Sequence, residues 1–166
     1  MLSPEPIRTA RLDLLPLRVD HAEEMAETLA DPRLHTYTGG VPHSPAALRA
    51  RYERLVSGSP DPAVSWCNWV LFQRGESRLV GTVQATVTDR ATEIAWVVGT
   101  PWQGQGLATE AARGLVDWLG QQHVTTVVAH IHPAHRASQS VAAATGLAPT
   151  DRRQDGEVRW ELSLPG

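Results

Sequence analysis

The stretch Gly99-Thr100-Pro101-Trp102-Gln103-Gly104-Gln105-Gly106-Leu107-Ala108-Thr109-Glu110-Ala111-Ala112 decides the reading of this chain. It follows an apolar run from Ile94 to Val98 and leads straight into an amphipathic pattern. Strand, glycine-interrupted turn and helix start are therefore expected in that order. Such an arrangement gathers the unpaired backbone N–H groups of a helix N-terminus at one point. The positive end of the helix dipole faces the same way, so an anion fits there. A phosphate-bearing compound is the expected guest.

An absence narrows which compound. The 166 residues include no lysine, and all 15 residues counted as Lys or Arg are arginine. A nucleoside-triphosphate loop needs a lysine followed by Ser or Thr, and Ala108-Thr109 stand where that pair would fall. Pyridoxal-phosphate enzymes and Schiff-base aldolases also need a lysine amine, which excludes them. A dinucleotide fingerprint requires a third Gly or Ala and an acid about 20 residues later. Here Gly104 and Gly106 are followed by Thr109, and Val124 to Val128 holds no acid.

Gln103-x-x-Gly106-x-Ala108 resembles the acyl-coenzyme A loop of the GNAT acetyltransferase superfamily, whose pattern is Arg/Gln-x-x-Gly-x-Gly/Ala. Ala108-Thr109-Glu110-Ala111 is similar to the helix opening of the branch that includes ribosomal-protein N-terminal acetyltransferases. Thr9-Ala10-Arg11-Leu12-Asp13-Leu14 resembles that branch's first strand, and Asp31-Pro32-Arg33 its first helix–helix connection. His132-Pro133-Ala134-His135-Arg136-Ala137-Ser138, followed by Gly146-Leu147, resembles its Pro-x-Asn-x-x-Ser…Gly-Phe segment. The resemblance runs from about Thr9 to Leu162. It implies an α/β (α+β) fold with a mixed, mostly antiparallel central sheet of six to seven strands, flanked by about four helices.

Bulk properties bound the remaining classes. One domain over residues 1–166 is long enough to bury about 70% of its unfolded surface. A net charge of −3 gives no general pull toward nucleic acid or an anionic membrane. The single cysteine, Cys67, forms no intrachain disulfide and fits a reducing compartment. No apolar stretch approaches the length of about 18 residues that a membrane span needs. Met1 to Pro6 lacks the basic and apolar regions of a signal peptide. A cytoplasmic protein is expected.

Along the chain, Leu12, Leu14 and Leu17 mark a short strand. Asp20, with Glu23 three residues on, is expected to cap a helix running to about Ala30. Ser44-Pro45 announces a second helix, Ala46 to Val56. Trp66 to Gln73 and Leu79 to Thr88 read as a hairpin around Arg74-Gly75-Glu76-Ser77, followed by a strand from Ala91 to Val98. The helix after the glycine loop is expected to end at Gly120, with a strand from Val124 to Ile131 beyond. Arg136 to Thr145 reads as a helix closed by Gly146, and Glu157 to Leu162 as the last strand. The order is β-α-α-β-β-β-α-β-α-β.

In the family this chain resembles, an amine attacks the thioester of acyl-coenzyme A directly, in a ternary complex. The amine must first lose its proton, because an ammonium has no lone pair. The oxyanion that forms needs hydrogen-bond donors, and the departing thiolate benefits from an acid. The resemblance implies that backbone N–H groups of Gly104, Gln105, Gly106, Leu107, Ala108 and Thr109 hold the pyrophosphate. Gln103 can add its side chain. Backbone groups near Val97 and Val98 would line the pantetheine arm, with the N–H at about Val98 facing the thioester oxygen.

Glu93 is the candidate base, acting through water, since the family often carries a carboxylate on this strand. A solvated strand end or an arginine partner would explain it equally. Glu110 is a rival carboxylate, but its place in the first helical turn is explained by the dipole. Ser138 falls on the family serine that protonates the thiolate or binds the thioester region, and it could also cap a helix. His135 takes the slot where the family usually has Asn, and an imidazole can still donate to a pantetheine carbonyl. Tyrosine is the acid in many relatives, yet Ser138 to Thr145 holds none, and Tyr37 and Tyr52 lie far off in sequence. His130, His132 and His135 have a zinc-like spacing without a nearby Cys or acid, so no metal is expected. Tyr37 and Trp66 are candidates for the wall of the acceptor groove.

The resulting expectation is an N-acyltransferase that moves an acetyl group from acetyl-coenzyme A to a primary amine. The acceptor is either a small-molecule amine or the N-terminus of a protein or peptide. A succinyl donor is the variant on that reading. Neither nucleic acid nor membrane is an expected partner, and the resemblance allows a monomer or a homodimer. The alternative is a catalytically silent acyl-coenzyme A sensor or interaction module, motivated by the missing tyrosine and by His135.

Overall fold

The computed structural model describes residues 1–165, and in it eight strands form one sheet. They are β1 (Ile7–Arg8), β2 (Leu12–Pro16), β3 (Ser65–Gln73), β4 (Arg78–Val87), β5 (Thr92–Val98), β6 (Thr126–Ile131), β7 (Ala148–Gln154) and β8 (Glu157–Ser163). Their spatial order is β1-β2-β3-β4-β5-β6-β8-β7, and every pair is antiparallel except β5 with β6. Four α-helices cover the faces: α1 (Ala22–Thr28), α2 (Pro45–Ser57), α3 (Leu107–Gln121) and α4 (Arg136–Thr145).

The period-2 alternation of the strands sorts two cores. Cys67, Trp69 and Leu71 of β3, with Val83 and Ala85 of β4 and Ile94 of β5, pack on Leu107, Ala111, Leu115 and Leu119 of α3. Trp69 is fully buried there, edge-on to Trp118 at 5.2 Å, and its indole N–H donates to the Glu5 carbonyl. On the opposite face Val70 and Leu79 meet Ala22 and Met25 of α1 and Leu48 and Tyr52 of α2. The core under α3 extends across the sheet to Val127, Ala129 and Ile131 of β6 and Trp160 of β8, whereas α1 and α2 cover only part of the opposite face, where Glu93 and Ala95 of β5 stay exposed.

The structure corrects several boundaries. The sheet has eight strands against the six to seven expected, and two that the element order lacks appear at its edges. β1 spans only two residues, and β7 (APTDRRQ) is exposed along nearly its whole length. An edge strand with no buried face carries no apolar alternation, so neither strand left a pattern. Asp20 caps nothing. It lies within a 3-10 turn, Val19–His21, its carboxylate held by the Arg18 guanidinium, while the Arg18 N–H donates to His21 Nδ1 at 3.0 Å. α1 consequently starts at Ala22 and stops at Thr28 rather than Ala30. Gly120 is helical, and the reversal falls on His123, whose φ is 65°. Ser44 does cap α2, accepting from the Ala47 N–H at 3.1 Å, and Gly146 closes α4 in the left-handed region.

Candidate active site

The parallel pair β5 and β6 creates the site because it is barely a pair. Thr92 faces Val127 and Glu93 faces Val128, and there the register ends. β5 continues to Val98 and β6 to Ile131, so the two strands part into a fork. The bonds Thr88 N–H to Ala91 O and Gly99 N–H to Val80 O fix the alternation of the β4–β5 ladder. Glu93, Ala95 and Val97 consequently spend their backbone groups on β4, whereas Trp96 and Val98 turn theirs into the fork. Of the two expected donors Val97 and Val98, only Val98 has an N–H free to face a guest. Gly81 lies opposite Val98, and any Cβ there would run into the Val97 carbonyl oxygen.

At the mouth of the β5 arm stands the glycine loop. Gly104 and Gly106 both have φ of 78°, a conformation that L side chains rarely adopt. The first helical bond of α3 runs from the Glu110 N–H to the Gly106 carbonyl. Ahead of it, the N–H groups of Gly104, Gln105, Gly106, Leu107, Ala108 and Thr109 donate to no group among the described residues. A consecutive run of free donors at a helix start is a concave anion seat. Gln103 behaves differently: its backbone N–H goes to Thr100 O and its side-chain amide to Val98 O at 2.9 Å. The Gln103 side chain thus ties the loop to the end of β5 instead of reaching out.

Arg11 braces the loop from behind. Its guanidinium donates to the Gln105 carbonyl at 2.8 Å and to Glu110 at 2.7 Å. Glu110 also accepts from the Thr9 hydroxyl and the Arg11 N–H. Burial pushes the Glu110 carboxyl upward, but these donors outweigh it and hold the group below its ordinary value. The Glu110 carboxylate is thus engaged by Thr9 and Arg11 near β1 and β2, partners that its first-turn position alone did not indicate.

At the base of the fork, Glu93 and His130 reach across from the two strands, Oε2 to Nδ1, at 2.8 Å. His130 is nearly buried, with 8% of its side chain exposed against 48% for Glu93. An ionised carboxylate only accepts, so Nδ1 is the donor of this pair. Nε2 has no partner among the described residues. The partner of Glu93 is a histidine and not an arginine, and nothing in the local sequence marks the pair, whose members are 37 positions apart.

The mouth of the β6 arm is built from rings. The Tyr37 ring, carried by the α1–α2 loop, stacks on His135 at 4.5 Å and 17° and tilts against His132 at 5.0 Å. Ser138 Oγ lies 3.3 Å from His135 Nε2. His132 Nδ1 accepts from the Ala134 N–H at 3.0 Å. Burial, and then the neighbouring His132, lower the His135 pKa. Tyr37, distant in sequence, is thus brought against the residues that precede α4. Trp66 is half-buried on the same sheet face as Glu93: it pairs with Thr86, which pairs with Glu93, so two strand spacings, roughly 10 Å, separate them.

Residues 11–148 match the model of the acetyltransferase (GNAT) domain. The chain belongs to this family. No curated protein matches the sequence. Among solved structures, this GNAT chain is similar to an acetyltransferase of the GNAT family from Bacillus anthracis, with a TM-score of 0.80 and 17% identity, over 96% of this chain and 98% of that one. A ribosomal-protein-S5-alanine acetyltransferase from Vibrio fischeri aligns with a TM-score of 0.73 and 17% identity, over 96% of both chains. A microcin self-immunity acetyltransferase, solved in complex with acetyl-CoA and AMP, aligns with a TM-score of 0.76 and 14% identity, over 93% of both. At these identities the likeness is one of fold. The GNAT assignment supports acetyl transfer from acetyl-coenzyme A, and the free amides of Gly104 to Thr109 fit the diphosphate of that compound.

Proposed function

We propose that the protein acetylates a primary amine by direct attack within a ternary complex. The observation that carries this reading is a single fork with free backbone donors at its mouth and a carboxylate–imidazole pair at its base. Acetyl-coenzyme A supplies, when bound, an acyl group activated as a thioester. The amides of Gly104 to Thr109 hold its diphosphate, and the Val98 N–H is the donor for the acyl oxygen. His130 Nε2 accepts the proton that the acceptor's ammonium must shed, and Glu93 balances the imidazolium charge. The nitrogen–carbon bond then forms as the carbon–sulfur bond breaks. Ser138, hydrogen-bonded to His135, returns a proton to the leaving sulfur in this reading.

The test is thiol release from acetyl-coenzyme A across a panel of amines, followed with a thiol reagent. Cys67 adds no background: it is buried and its thiol is pushed up to about 11. Release that requires an amine, and that collapses in Glu93→Gln and weakens in Ser138→Ala, supports the enzyme. Tight coenzyme binding without turnover on any amine or peptide N-terminus would instead establish a sensor.

A further inference from the structure

Glu93 and His130 line a cavity of about 450 Å³ whose arginines have no part in the proton step. Its walls come from three separate elements: Arg90 from the β4–β5 turn, Arg152 from β7, and Arg159 from β8. Arg159 sits directly opposite His130 in the β6–β8 ladder. The charges do not cancel. Arg159 and Arg152 converge on one carboxylate, Glu161, at 2.6 and 3.6 Å, and the guanidinium of Arg90 has no partner among the described residues. Three guanidinium groups thus face two carboxylates, and one of those, Glu93, is at the far end with His130.

The cavity is therefore bipolar. An ammonium is attracted to the Glu93 end, and an anion to the Arg90 and Arg152 end. Guanidinium groups bind carboxylate and phosphate through paired, charge-assisted hydrogen bonds. A volume of this size is that of a small-molecule site. Resting on the acetyl-transfer reading, we infer that the acceptor is a small amine that also carries a carboxylate or a phosphate. Its nitrogen lies at Glu93 and His130, and its anionic group at Arg90, Arg152 and Arg159. The arginines border an open cavity that also reaches Glu93 and His130.

The experiment is calorimetric titration with O-phospho-L-serine, L-aspartate and L-serinamide, with coenzyme A present at saturation so that the loop amides are occupied. The first two ligands distinguish phosphate from carboxylate, and the third carries no anion. Binding of either anionic amine, at least tenfold tighter than serinamide and lost at least tenfold in the double variant Arg90→Gln/Arg152→Gln, supports the inference. Thermal melts of the double variant show whether it remains folded. Should it not, Arg90→Gln alone, in an exposed turn, reads the same effect. Equal binding of all three amines, no binding of either anionic amine, or unchanged binding in the variants overturns it. Heat with coenzyme A alone tests the loop separately, so failure of this inference leaves the acetyl-transfer reading standing, whereas absence of that heat removes the reading on which the inference rests.

Discussion

The two arms of the fork are built for recognition by different means. The β5 arm ends in backbone: six free amides on a loop whose own side chain, Gln103, is spent on bracing. The β6 arm ends in side chains, with Tyr37, His132, His135 and Ser138 brought together from a loop and a helix. On the proposed reading, the diphosphate is the same in every acyl-coenzyme A, so main-chain donors fixed by two glycines would suffice for it. Acceptor and proton chemistry require groups with their own pKa values and shapes. Side-chain truncation should therefore be severe at the base and β6 arm and slight on the loop, while changes to loop backbone should be felt as strain.

Glu93→Gln carries the largest expected effect. Loss of the partner that balances His130 should lower kcat by about 10²- to 10⁴-fold, the usual worth of acid–base catalysis, with coenzyme affinity unchanged. Equal losses of coenzyme affinity would erase the contrast between the arms. Next comes Gly106→Ala. Its Cβ would meet only Arg11 at 3.5 Å, an ordinary contact, so the penalty is that of holding φ at 78°. A left-handed alanine costs about 1–2 kcal/mol, which in a domain of this size lowers Tm by about 2–8 °C. Gln105→Ala in the same loop should stay within about 0.5 kcal/mol in stability and leave coenzyme binding alone, because only its backbone is used.

The pH behaviour of the two arms should differ as well. His135 has its pKa lowered in the fold, so it binds fewer protons there than when unfolded. Its stabilising contribution is fully present above the unfolded value of about 6.5 and is lost as pH falls through the lower folded value. Tyr37→Ala, by uncovering the imidazole, should move the His135 titration back toward the ordinary range, followed by its ring-proton shifts. Glu110, also lowered, behaves as a paired carboxylate. Its contribution holds above about 4.3 and disappears as pH falls through the folded value, and Glu110→Gln should flatten that acid limb in denaturant melts.

These same differences explain what could be read from the chain alone. The loop is local: Gln103, Gly104 and Gly106 sit within one turn, and their conformation follows from their own residue types. The amphipathic stripe of α3 and the β-branched strands were equally legible. The Glu93–His130 pair spans 37 residues and the Glu110–Arg11 brace 99, so each depends on sheet order and not on spacing. Tyr37 lies nearly a hundred residues before His135, a separation from which no encounter can be read, yet the α1–α2 loop brings its ring onto His135. β7 stayed invisible because Arg152 and Arg153 and their neighbours face solvent, where no apolar alternation is imposed. Sequence reports what a segment does by itself, and the base of the fork is made only by segments meeting.

The central claim concerns the amides of Gly104 to Thr109, and amide chemical shifts read them one by one. On titration of the ¹⁵N-labelled protein with coenzyme A, those six resonances and that of Val98 should move most, and their hydrogen exchange should slow. If they stay unmoved at millimolar coenzyme A, the diphosphate does not sit on this loop and the account is wrong.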